Sequence, residues 1–276
     1  MFECVINVSE GRDDIILGAL SNAAGPSLRD LHRDAFHNRS VFTFIDNPEQ
    51  LVSDVRALID AAYHYLDLST HEGVHPRFGI VDVVPFVALT PENSARACTL
   101  RDETAQWMAA TFDVPVFLYG ALANGTTRTL PEVRRGAFSA LLPDHGPRVT
   151  SSVRGASAVG CRPILVAWNV WLHDVSYDEA RVIASRVRGP GVRALAFPFG
   201  QNVQVSCNLI DTDIAWPSMV YDQIQSLLGP RGVIIRSELV GLAPMNVLTK
   251  ENHSRWEQLD LHLDATIESR IGRVGY

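Results

Sequence analysis

The sequence lacks most of the marks of a protein that works outside a reducing, aqueous compartment. Its four cysteines, Cys4, Cys98, Cys161 and Cys207, are scattered, with no Cys-x-x-Cys pair and no cluster of ligands. That argues against a thiolate metal site and predicts reduced, mostly buried thiols in a cytosolic protein. The opening residues hold no basic region followed by a long apolar one, so no signal peptide is expected. No uninterrupted apolar run of about 18 residues occurs, which removes a helical membrane span. Positive charge is scarce as well: 24 Lys and Arg face 31 Asp and Glu, for a net charge of −7. Broad binding to nucleic acid or to a membrane surface is not expected, although a local basic cleft remains open. What is present is ordinary for a folded chain: 276 residues, 46% hydrophobic and 20% charged, enough for one large domain or two modest ones.

The chain also repeats itself. Arg77, Val81, Pro85 and Leu89 recur at the same spacing as Arg236, Val240, Pro244 and Leu248. Phe44-Ile45-Asp46 echoes Leu209-Ile210-Asp211, and Asn7-Val8 echoes Asn169-Val170, in the same order. The periodicity agrees. A strand-like run at 3–9 precedes Ile15, Ile16, Ala19 and Leu20 at helical spacing, and two short strands occupy 28–46. Pro48 opens a helix that carries Leu51, Val55, Leu58, Ile59 and Ala62, and Ile80 to Leu89 reads as a buried strand. The first half adds a helix over 91–112 and a strand over 115–119 before a Gly-rich connection. The second half offers strand 164–172, helix 177–187, a hairpin of 192–199 and 203–210, helix 217–228 and strand 232–242. Each half follows the β-α-β-β-α-β order of a ferredoxin-like unit. The expected fold is α/β (α+β), with two ferredoxin-like subdomains, 1–162 and 163–276, facing each other across a ligand cleft.

His71-Glu72-Gly73-Val74-His75 matches the His-Glu-x-x-His pattern of zinc hydrolases. That chemistry needs both histidines on one face of an unbroken helix. Here Gly73 interrupts the motif, and Pro76 pushes His75 away from helical dihedrals. The segment therefore reads as a loop, and no metal site is expected.

The longer stretch from Asp67 to Phe86, Asp-Leu-Ser-Thr-His-Glu-Gly-Val-His-Pro-Arg-Phe-Gly-Ile-Val-Asp-Val-Val-Pro-Phe, resembles the central signature of the formiminotransferase family. Asn7-Val8-Ser9-Glu10-Gly11-Arg12 is similar to the family's first strand-to-helix motif, and Asn38-Arg39-Ser40-Val41-Phe42-Thr43-Phe44 to its hairpin. Gly155 to Arg162, Gln204 to Leu209 and Ser237 to Pro244 resemble three later motifs, so the resemblance spans almost the whole chain in order. It implies transfer of a formimidoyl group from N-formimidoyl-L-glutamate to tetrahydrofolate, late in histidine degradation, with tetrahydrofolate as co-substrate. It also implies a cytoplasmic homodimer with folate held between the subdomains and His75 in proton transfer. The folate-contacting segment falls on Gly146, Pro147, Arg148, Val149, Thr150, Ser151, Ser152, Val153, Arg154 and Gly155. Val74 stands where the family often has a carboxylate, and Phe36 lies in a loop usually richer in acids. These departures keep open formyl transfer between glutamate and 5-formyltetrahydrofolate, and folate binding without turnover is a third alternative.

The chemistry suggests further residues. Attack of the folate N5 amine on an amidine and expulsion of glutamate each move a proton, a task for a histidine with an ordinary pKa near 6.5. A carboxylate would orient the amidinium, and Asp34 and Asp82 are the candidates, either of which could instead hold a turn or an ion pair. The donor's two carboxylates want cations and free N–H groups. Ser9, Gly11 and Arg12 sit at a strand-to-helix junction that supplies both, with Asn38 beside Arg39 on the hairpin, and Arg39 and Arg77 as bidentate partners. In the plainer alternative Ser9 caps the helix and Arg12 is solvated.

Overall fold

The computed structural model describes residues 1–74, 77–230 and 232–272. They divide into two compact units, Met1–Pro163 and Ile164–Tyr276. The first runs β1 (Phe2–Val8), α1 (Asp14–Ala23), β2 (Leu28–Asp34), β3 (Arg39–Asp46), α2 (Pro48–Tyr65), β4 (Val81–Ala88), α3 (Ser94–Phe112), β5 (Val116–Ala121), β6 (Thr127–Arg128), α4 (Leu130–Gly136) and β7 (Ser157–Cys161). Alternation fixes the faces: Phe2, Cys4, Ile6 and Val8 of β1 point into one core with Leu20 of α1 and Leu51, Val55, Leu58 and Ile59 of α2. Asn47 caps α2 by accepting the Gln50 N–H, and Pro48 stands at its start as the sequence predicts. The helix expected from Pro91 opens with a 3-10 turn over Pro91–Asn93 before α3 begins.

The sheet order is β2-β3-β1-β4-β7-β5-β6. The first four strands are the expected ferredoxin-like set, with β1 antiparallel to both β3 and β4. Strand β7, which the sequence does not announce, lies between β4 and β5 and runs parallel to both. The second unit runs β8 (Val166–His173), α5 (Tyr177–Val187), β9 (Val192–Phe199), β10 (Asn202–Leu209), α6 (Pro217–Leu227), β11 (Val233–Val240), α7 (Met245–Lys250) and α8 (Ile267–Gly272). Its antiparallel sheet, β11-β8-β10-β9, has the strand order of the first unit's β4-β1-β3-β2. Trp168, Val170 and Leu172 of β8 face its core, and the buried Trp168 indole donates to the Leu259 carbonyl at 2.8 Å.

One sequence expectation is corrected. Cys98 and Cys161 form a disulfide with Cα atoms 5.1 Å apart, because α3 packs on β7, while Cys4 and Cys207 stay free and buried. With β7 unseen in the sequence pattern, the contact that pairs the two thiols was unseen too. Among the described residues no helix is long and apolar enough to cross a membrane.

Candidate active site

Several of the residues singled out by the sequence, among them Gly11, Asn38, Arg39, Arg77 and Asp82, gather in the first unit around the loop that leads from α2 into β4. Three chain segments are knotted there by Asn38, which turns the β2–β3 hairpin at φ 49°, a left-handed conformation that asparagine tolerates. Its Oδ1 accepts the Gly11 N–H at 2.9 Å, and its Nδ2 donates to the Glu72 carbonyl at 2.9 Å and lies 3.2 Å from His71 Nδ1. Glycines make the approach possible. A Cβ on Gly11 would stand 2.4 Å from the Asp34 carbonyl oxygen, and one on Gly73 2.3 Å from that of His37.

Arg77 braces the same loop, donating from Nη1 to the Gly73 carbonyl at 3.1 Å and from Nη2 to that of His71 at 3.2 Å. Beneath it lies Asp82, 1% exposed. Arg39 Nη1 and Arg134 Nη2 both reach Asp82 Oδ2, at 2.6 and 2.7 Å, and the Phe78 N–H donates to Oδ1 at 2.8 Å. Burial opposes ionisation of this carboxyl, but the two guanidinium groups and the bonds from Arg134 and Phe78 outweigh it and hold its pKa below the usual range. Arg39 also donates from Nε to Asn7 Oδ1 at 3.1 Å. Asp82 is thus the anchor of an ion cluster rather than a free carboxylate for a substrate. His71 is held neutral, with its pKa lowered to about 4 by burial first and then by Arg77 and Arg12, against the pull of Glu10.

The strand-to-helix junction differs from expectation. Glu10 Oε1 accepts the N–H groups of Arg12 and Asp13 at 2.6 and 2.9 Å, and Asp13 Oδ1 caps α1 through Ile15 and Ile16. The N–H groups of Arg12, Asp13, Ile15 and Ile16 are taken by Glu10 and Asp13, and that of Gly11 by the Asn38 amide oxygen, so these donors do not await a substrate anion. Ser9 is not the cap; its hydroxyl donates to the Gly79 carbonyl at 2.8 Å, fastening β1 to the entry of β4. Arg12 donates from Nε to the Ala35 carbonyl at 2.6 Å and is otherwise exposed. Asp34 Oδ1 accepts the N–H groups of Phe36 and His37, both at 2.8 Å, so it holds the hairpin turn.

The segment from Gly146 to Gly155 has two characters. Gly146 sits at φ 81° against the Val114 carbonyl, and Arg148, Val149, Thr150 and Ser152 are exposed, with Pro147 half-buried. The second part folds onto the signature loop. Ser151 Oγ accepts the Val153 and Arg154 N–H groups, Val153 O accepts the Leu68 N–H at 2.8 Å, and Gly155 pairs with Gly79. Only glycines fit there, since a Cβ on Gly155 would stand 2.5 Å from Gly79 Cα. The Arg154 guanidinium turns away to the Phe112 carbonyl at the end of α3. His75 and Pro76 lie outside the described residues. Among the described residues no three metal-ligating side chains converge.

Sequence reasoning missed Arg134 and the part of Glu10. Glu10 could have been read, since the free N–H groups at a helix N-terminus favour a nearby carboxylate.

Comparison with known proteins adds to this geometry. The family model described as "Formiminotransferase domain, N-terminal subdomain" matches residues 1–162. Glutamate formimidoyltransferase of Streptococcus pyogenes serotype M1 is 31% identical over 284 residues, covering 94% of this chain and 95% of that protein. The protein of the same name from Thermoplasma acidophilum is 32% identical over 272 residues, 90% of this chain and 89% of that one. Formimidoyltransferase-cyclodeaminase of Sus scrofa is 32% identical over 279 residues, 90% of this chain but 51% of that protein, so the chain spans about half its length.

Proposed function

This chain belongs to the formiminotransferase family, and on that premise we propose that it moves the formimidoyl group of N-formimidoyl-L-glutamate to tetrahydrofolate. The products are 5-formimidoyltetrahydrofolate and L-glutamate. What carries the reading is the match to the Streptococcus pyogenes glutamate formimidoyltransferase along nearly the full length of both chains. The site adds chemical support. Arg12, Arg39, Arg77 and Arg134 crowd the loop entering β4, with Glu10 and Asp82 as nearby counter-charges, a setting suited to a dicarboxylate donor.

In this mechanism the folate N5 lone pair attacks the formimidoyl carbon and forms a C–N bond. The tetrahedral adduct loses a proton from N5 to His75, which returns it to the glutamate nitrogen as the second C–N bond breaks. The amidinium is electrophilic as it stands, so no step calls for a Lewis acid. Residues 1–162 and 163–276 act as the two formiminotransferase subdomains, and 146–155 lies along the folate. The protein works in the cytoplasm as a homodimer.

The test is a steady-state assay in which each candidate donor is offered with its folate partner. Turnover of N-formimidoyl-L-glutamate with tetrahydrofolate is the expected result. Turnover confined to the formyl pair, or tight folate binding with no turnover of either, overturns the proposal.

A further inference from the structure

His71 is the chemistry-bearing residue of the loop that the mechanism above leaves unused. Its surroundings determine where its proton sits. Asn38 cannot be flipped: Oδ1 must receive the Gly11 N–H and Nδ2 must donate to the Glu72 carbonyl, so exchanging the two atoms would oppose donor to donor and acceptor to acceptor. The second hydrogen of Nδ2 therefore points at His71 Nδ1, 3.2 Å away, and Nδ1 must accept it. A neutral imidazole that accepts at Nδ1 carries its hydrogen on Nε2. An imidazolium would set an N–H against an N–H.

The main chain that carries the ring is also tied down. The His71 backbone N–H donates to the Leu68 carbonyl at 3.2 Å and its backbone carbonyl takes the Arg77 guanidinium at 3.2 Å. Nε2 has no partner among the described residues, and the ring is half-buried. The charged groups acting on it are Arg77, Arg12 and Glu10, which leave a cationic surplus. A held N–H donor in such surroundings favours an anionic oxygen as its acceptor.

We propose that His71 is a substrate-binding residue whose Nε2–H, held in that tautomer by Asn38, donates to a carboxylate oxygen of the glutamate-derived donor. The inference rests on the transferase reading for the identity of that ligand. It divides the labour of two histidines four positions apart: His75 exchanges protons, and His71 stays neutral and binds.

The experiment has two parts. Nitrogen-15 NMR of the histidine side chains in the unaltered protein reads the tautomer directly, with the His71 signals identified by their absence in His71→Asn. The Nε2–H form from pH 8 down to pH 6 is expected, and the Nδ1–H form or an imidazolium in that range overturns the proposal. Calorimetry with L-glutamate and steady-state kinetics then read the contact. His71→Asn offers an amide only near the Nδ1 position, whereas His71→Gln places one near Nε2. The Asn variant should bind L-glutamate and show a KM for the donor roughly tenfold to a hundredfold weaker, the range of a hydrogen bond to a charged group, with the folate KM unchanged. His71→Gln should recover most of that loss. Equal weakening in both variants, or a shift in folate KM alone, overturns the inference while turnover by the unaltered protein keeps the transferase reading. An unaltered protein that neither binds L-glutamate nor turns over the donor overturns both.

Discussion

The two units share a strand order and differ in what it carries. In the first, Asn7 of β1, Arg39 of β3, Asp82 of β4 and Arg134 of α4 form a cluster in which two guanidinium groups meet one carboxylate. In the second, Asn169 and Trp171 of β8, Gln204 of β10 and Glu238 of β11 meet on the equivalent strands. There three neutral donors converge on Glu238 Oε2 at 3.1 to 3.4 Å, and Arg236 stacks on the Trp171 ring with a longer ion pair of 3.6 Å. The connection before the fourth strand differs too, running from Leu66 to Ile80 in the first unit but only from Leu228 to Gly232 in the second. The same scaffold therefore holds a carboxylate between two close guanidinium groups and a long connection in one copy, and a carboxylate ringed mostly by neutral donors with a short connection in the other. The candidate site lies on the longer connection, although the strand order is the same in both units.

The sharpest way to break this comparison is to remove the proton carrier proposed above. His75→Ala should fold normally and lose about 10²–10⁴ of its transfer rate, the usual worth of general acid–base help. A circular-dichroism melt beside the assay separates that from unfolding, and full activity ends the assignment.

The clusters should differ in stability next. Asp82→Asn strands two partly buried guanidinium groups, and the cost expected in a urea titration is about 3 kcal/mol. Glu238→Gln, whose donors are neutral apart from the longer and more exposed Arg236 pair, should cost about 1 kcal/mol. Equal losses would mean that charge does not distinguish the units. pH gives an independent check. The folded pKa of Asp82 is depressed, below an unfolded value near 3.9. Its contribution is therefore complete above about pH 4 and is lost as the pH falls through the folded value. Asp82→Asn should flatten that acid limb of stability against pH.

Glycine substitutions give smaller effects. Gly73→Ala drives a Cβ to 2.3 Å from a backbone oxygen, so the loop must shift, at a cost of about 1–3 kcal/mol with a parallel loss of activity. Gly18, inside α1, has open space where a Cβ would stand, with no heavy atom within 4 Å. Gly18→Ala should raise stability by about 0.8–1 kcal/mol, visible as a higher melting temperature with unchanged turnover.

The sequence made the strand and helix pattern readable wherever one face of an element is wet, as in α2, whose stripe from Leu51 to Ala62 repeats at helical spacing. Strand β7 escaped because all five of its residues are buried and small or thiol-bearing, which leaves neither alternation nor bulk to mark it. The loop's residues were legible as a motif, but their partners were not. Arg134 meets Asp82 across a sequence separation of 52 residues and sits on a short helix where an arginine looks solvated. Ser9 and Asp13 both suit a cap, and only the path of the chain decides for Asp13. Sequence pattern reports local periodicity, and a site assembled from distant segments is decided by packing.

The place of β7 in the sheet also sets an order of events. β4 and β5 do not pair with each other; both pair with β7, the last strand of the unit in sequence. Until residues 157–161 arrive, two edges stay open, and β5, β6 and α4 have no sheet to join. On the ribosome, the first unit's sheet cannot close until nearly all of its chain has been made. Its slowest folding step should be this late, long-range insertion, and open strand edges before it are the point at which the nascent chain is most exposed to misassembly.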